Sequence, residues 1–155
     1  MISVGYDYQV EVPLSPRRYK RSDEFPHESF VQRSVERHFR DLGFLLDVSG
    51  HVDLMCSHPA TGEQWHIEVK GVTKATGLDF RTGLGQLLQR MSNEAANHGL
   101  AVPNHKQFVD QTSKVSQWVI DRLALHWLLV DPDGSVTVIP PNRAADPRGV
   151  TRPTA

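Results

Sequence analysis

The sequence predicts an α/β domain in which a mixed central β-sheet is flanked by helices. Three observations predict it. Short stretches alternate apolar and polar residues with a period of two. Between them lie segments whose apolar residues recur at helical spacing, and Gly, Pro and Asp clusters separate the segments. At 155 residues the chain is long enough for one domain with its own core.

The elements follow in order. Val4, Tyr6, Tyr8, Val10 and Val12 alternate with polar residues and predict a strand ahead of the main domain, stopped by Pro13 and Pro16. The basic cluster Arg17, Arg18, Lys20 and Arg21 follows, so residues 1–21 form an N-terminal strand and basic segment. A helix is predicted from Pro26 to Leu42, with Val31, Val35, Phe39 and Leu42 as its apolar stripe and Gly43 as its stop. Phe44 to Val48 reads as a strand. His51 to Met55 and Trp65 to Gly71 read as two more, joined by the turn cluster His58-Pro59-Ala60-Thr61-Gly62 into a hairpin. A second helix is predicted near Gly83 to Ala96, a buried strand at Leu100 to Val102, and a third helix over Asp110 to Leu125. Trp127–Val130 and Val136–Ile139 flank Asp131-Pro132-Asp133-Gly134, a hairpin signal. The domain is thus expected to span 22–141, with a Pro- and Arg-rich flexible tail over 142–155.

Composition narrows the function classes only a little. The single cysteine, Cys56, excludes an internal disulfide framework and fits a reducing compartment. No apolar run approaches membrane-spanning length and the start lacks a secretory pattern, so a cytoplasmic location is expected. The formal net charge of -1 neither suggests nor excludes nucleic acid as a partner.

Chemistry concentrates in the first hairpin. On its second strand Trp65, Ile67 and Val69 point one way while His66, Glu68 and Lys70 point the other. Pairing the strands from the turn outward sets Asp53 opposite Glu68, about 5 Å apart at Cβ for directly facing residues. Two carboxylates and an ammonium gathered there would hold a divalent cation beside a polarised water, which suits cleavage of a phosphodiester. The same pattern also describes an ordinary half-exposed hairpin with surface ion pairs.

Helix, strand, Asp-bearing strand, Glu-x-Lys strand, helix, strand resembles the core of the PD-(D/E)XK nuclease superfamily, the restriction-endonuclease-like αβββαβ fold. The resemblance covers roughly Pro26 to Val102, and the later helix and hairpin resemble extensions of that core. Asp53 matches the acidic motif, without the Pro that often precedes it, and Glu68-Val69-Lys70 matches (D/E)-x-K. The resemblance implies that Asp53, Glu68 and the Val69 carbonyl hold Mg²⁺, with Mn²⁺ able to substitute. It implies that Lys70 positions the attacking water and that Gln86 on the following helix orients Lys70 or the water. Many members add a glutamate on the first helix, here Glu28 or Glu36. At about 100° per residue Glu28 falls inside the apolar stripe and Glu36 at its edge, so Glu28 is preferred. The implied reaction is DNA hydrolysis leaving a 5′-phosphate and a 3′-hydroxyl.

Other polar residues carry weaker signals. Arg17, Arg18, Lys20, Arg21, Lys74, Arg81 and Arg90 could contact DNA phosphates or form an ordinary solvated surface. His51 and His66 share the polar face with the expected site, but the histidines lack zinc-ligand spacing. Trp118 and Trp127 are expected in the core, and Cys56 reads as a small buried residue. The leading expectation is a metal-dependent DNA endonuclease of restriction, phage-defence, repair or recombination type. Its specificity would come from a homodimer or a partner protein. The alternative is a catalytically inactive nucleic-acid-binding or protein-interaction module with the same fold.

Overall fold

The computed structural model describes residues 23–47 and 53–142. The expected N-terminal strand, the cluster Arg17, Arg18, Lys20 and Arg21, His51 and residues 143–155 lie outside them.

Six strands form one sheet in chain order. Helix α1 (Glu28–Asp41) is followed by β1 (Leu45–Asp47), β2 (Leu54–Ser57) and β3 (Gln64–Val69), then by α2 (Thr76–Gln89) and β4 (Asn97–Pro103). Two short helices, α3 (Lys106–Thr112) and α4 (Gln117–Leu123), lead to β5 (Leu125–Val130) and β6 (Val136–Ile139). β1, β2 and β3 pair antiparallel, β3, β4 and β5 parallel, and β5 and β6 antiparallel. The fold is therefore α/β with a mixed sheet, as the alternation of strand and helix patterns predicts.

Each face of the sheet has its own core. Val31, Val35 and Phe39 of α1 pack on Leu54, Cys56, Trp65, Ile67 and Val69. On the other face Phe80 and Leu87 of α2, Phe108 of α3 and Ile120 of α4 pack on Leu100, Val102 and Trp127. Burial on both sides explains why β3 and β4 are covered along almost their whole length. Among the described residues no helix is long and apolar enough to cross a membrane.

Several boundaries differ from expectation. β2 spans Leu54–Ser57 with Asp53 just before it, and the expected start at His51 falls outside the described residues. The turn itself is closed by the His58 N–H donating to the Glu63 carbonyl, with Gly62 at φ +73°. α2 starts at Thr76, not Gly83, its three glycines having masked a continuous helix. The expected third helix is two helices. Phe108 and Ile120 both reach the sheet, and Trp118, expected in the core, is 70% exposed. Leu42, assigned to the α1 stripe, is exposed. Burial pushes the Cys56 thiol up to about 12, so it stays protonated and acts as a small apolar side chain.

Candidate active site

The site forms where the carboxyl end of β3 meets the entry to β2. The β2–β3 register pairs Leu54 with Ile67, and one step further along the same antiparallel ladder sets Asp53 against Glu68. A hydrogen bond fixes this arrangement: the Val69 N–H donates to Asp53 Oδ2 at 3.0 Å. Asp53 lies just before β2, so its side chain reaches across the last open position of the ladder. The Lys70 N–H donates to the Ala101 carbonyl, tying the other side of β3 to β4.

Glu68 is the centre of the arrangement. It is only 1% exposed, because α2 covers the face of β3 that the alternation marks as polar. Lys70 Nζ lies 3.1 Å from Glu68 Oε1, and Arg90 Nη1 lies 2.5 Å from Glu68 Oε2. Each carboxylate oxygen therefore faces its own cation. Burial pushes the Glu68 carboxyl above the usual range and the Asp53 charge adds to the rise, while Lys70 and Arg90 pull it back. Glu68 is thus buried, while Asp53, Lys70 and Arg90 around it stay partly exposed.

α2 supplies the rest of this wall. Gly83 packs directly on Lys70: a Cβ there would come within 2.8 Å of Lys70 Cγ and 3.0 Å of Cε. Gln86 sits one turn on, its Oε1 buried and without a hydrogen-bond partner. Arg90 caps the helix one further turn along. Residues 83, 86, 87 and 90 lie on one helical stripe, and the helix expected over Gly83 to Ala96 contains all four. Arg90, expected to contact phosphate or stand on a solvated surface, is instead half-buried on Glu68.

α1 touches the site through its first turn. A Cβ on Gly71 would meet the Glu28 nitrogen at 2.0 Å, and the Val72 N–H donates to the Pro26 carbonyl at 2.9 Å. Glu28 thus starts the helix against the segment that follows Lys70. Its side chain is exposed, however, and does not point into the domain as the helical wheel predicts. Glu36 is the buried acid of α1; it accepts a hydrogen bond from Gln32 Nε2 at 2.8 Å and pairs with Arg40. The same Gln32 Nε2 donates to the Asp53 carbonyl, so Glu36 is linked through Gln32 to the Asp53 backbone. Glu28 is the first residue of α1 and is exposed, while Glu36, two turns on, is buried.

The remaining polar residues lie elsewhere. Lys74 lines a groove of about 370 Å³ at the start of α2, with Gln107 and Lys114 across from it. Arg81 is exposed on α2. His66 is buried against His98 with ring centroids 5.2 Å apart, so it does not stand open to a substrate. His66 Nδ1 and His98 Nε2 lack hydrogen-bond partners.

No protein-family model matches the chain, and no curated protein sequence matches it. The site's chemistry therefore rests on its geometry.

The donor set suits a hard divalent cation. Among the described residues no group of three or more His, Cys, Asp and Glu side chains is placed to hold a metal. A Mg²⁺-type ion that keeps most of its water needs only one or two carboxylates. Asp53 and Glu68 meet that need, and their mutual repulsion is the kind that a shared cation relieves.

Proposed function

We propose that this chain is a divalent-metal-dependent nuclease that hydrolyses DNA phosphodiester bonds, built on a restriction-endonuclease-like core. The observation that carries the reading is the buried Glu68, opposed to Asp53 and flanked by Lys70 at the end of β3. Burying a carboxylate with its cations costs free energy that an apolar pair of the same volume would not. Clustered charge of this kind with a shifted pKa is characteristic of functional sites. The order α1, β1, β2, β3, α2, β4 also agrees with the αβββαβ core.

In this reading Asp53 and Glu68 hold Mg²⁺ or Mn²⁺, joined by the Val69 carbonyl. The ion, when bound, acidifies a water and neutralises charge on the scissile phosphate. Lys70 orients that water and stabilises the negative charge that develops on the phosphate. Gln86 directs its unpartnered Oε1 toward a donor that arrives with substrate or water. Lys74 and Arg81 steer the backbone of the nucleic acid, and Glu28 adds an acidic group at the rim. Target specificity comes from a second copy or a partner protein.

A second reading has one observation in its favour. Both Glu68 oxygens already hold cations, as in a charge cluster kept only for structure. The protein would then be an inactive nucleic-acid-binding or protein-interaction module. Cleavage of supercoiled plasmid, branched DNA and single-stranded DNA with Mg²⁺ or Mn²⁺ separates the two. The nuclease reading expects EDTA to abolish cutting and Lys70→Ala to slow it by about 100-fold or more. A folded wild-type protein that cuts none of these substrates supports the second reading.

A further inference from the structure

We infer that Arg90 is a positioning residue that competes with the divalent cation for Glu68 and so sets the metal affinity of the site. The inference rests on the proposed nuclease reading and deepens it.

The two cations on Glu68 are not equivalent. Arg90 takes Oε2 at 2.5 Å, the shorter contact, while Lys70 takes Oε1 at 3.1 Å. The Lys70 side chain is 15% exposed and held in place by Gly83. The Arg90 side chain is 30% exposed and stems from the last turn of α2. Its guanidinium can leave Glu68 without being stranded in the interior, whereas the Lys70 ammonium cannot. Arg90 is therefore the cation that yields.

Charge balance gives the same answer. Asp53 and Glu68 oppose Lys70 and Arg90, two carboxylates against two cations. Adding a divalent cation to that set leaves an excess of two positive charges in a partly buried site. Release of Arg90 removes one, and the arrival of a phosphodiester removes the other. Metal and nucleic acid then bind cooperatively, and the metal alone binds weakly. Without metal, Arg90 keeps Glu68 compensated, which a carboxylate buried to this degree requires.

The test is calorimetric titration of the full chain with Mn²⁺, comparing wild type, Arg90→Gln and Glu68→Gln, with no nucleic acid present. Arg90→Gln should bind Mn²⁺ about tenfold tighter, the factor that about 1.4 kcal/mol of competing ion pair represents. Glu68→Gln should lose the binding. Damage to the fold would weaken binding, so tightening cannot come from that source. Equal or weaker binding by an Arg90→Gln protein that melts at the wild-type temperature, with wild-type binding still dependent on Glu68, overturns the inference and leaves the nuclease reading standing. Absence of Glu68-dependent Mn²⁺ binding in both wild type and Arg90→Gln, when the titration is repeated with duplex DNA present, overturns the two together. A second measurement needs no folded variant: the Arg90 Nε–H NMR signal of the wild-type protein should shift as Mg²⁺ is added. A signal that stays fixed while Mg²⁺ binds refutes the competition.

Discussion

Gly83 shows how narrowly Lys70 is held. A methyl group at this position would fall 2.8 Å from Lys70 Cγ and 3.2 Å from Leu100 Cδ1. Cγ is close to the backbone and has little freedom to move aside, so the ammonium must shift relative to Glu68. Gly83→Ala gains about 1 kcal/mol of helix propensity but overpacks the contact by about 1–3 kcal/mol, so net stability should fall by about 0–2 kcal/mol. In the proposed nuclease, cleavage should fall much further, by about 100-fold, the scale of a 1 Å misplacement of a catalytic group. Gly85→Ala is the matched control, because nothing lies within 4 Å of a Cβ there. It should stabilise the same helix by about 0.5–1 kcal/mol and leave cleavage unchanged. Melting curves and plasmid cleavage on both variants check this. Equal activity in the two would mean that Lys70 tolerates displacement and that Gly83 does not position it.

At the scale of elements, the site depends on how the end of β3 is clamped to the start of α1. Gly71 passes so close to His27 and Glu28 that a Cβ would overlap backbone atoms, which cannot rotate away. Gly71→Ala should therefore destabilise the fold by about 3 kcal/mol or more in urea denaturation, as overpacking against rigid backbone does. A loss under about 1 kcal/mol would show that α1 can slide off this contact. The sequence displayed some elements clearly and concealed others. Gly43, at φ +88°, marks the end of α1, and Gly62 and Gly134 mark the hairpin turns, because only glycine adopts such angles freely. The Asp53–Glu68 opposition was legible because antiparallel register counts outward from the turn. The split between α3 and α4 was not legible, since Val115, Trp118 and Val119 continue the helical spacing across it. The end of α4 falls on Ala124 in the left-handed region at φ 51°, with no glycine to announce it. Arg90 was legible as a charge but not as the partner of Glu68, because that pairing depends on how α2 packs against β3, which helical spacing alone does not give.

At the scale of the whole molecule, the second face of the sheet holds two buried histidines whose proton uptake is expected to cost stability in acid. That face carries His66 and His98 as register partners on β3 and β4, both buried. Burial holds His66 below the ordinary histidine value of 6.5, and burial with the neighbouring His66 and His126 does the same for His98. A base whose folded pKa is depressed is neutral in both states above about 6.5 and makes stability independent of pH there. As pH falls through that value the unfolded chain takes up the protons first, so stability is lost progressively until the folded histidines titrate too. Glu68 acts in the opposite sense, since a carboxyl raised by burial favours the folded state as pH drops through its range. The comparison must therefore be between slopes, not absolute melting temperatures. Replacing both His66 and His98 by Asn removes the two groups that must accept a proton in the interior. The melting temperature of that variant should fall less between pH 7 and pH 5 than the wild-type value does, even if it starts lower. Parallel slopes would place the acid sensitivity elsewhere and would mean that water already reaches the two ring nitrogens that lack partners.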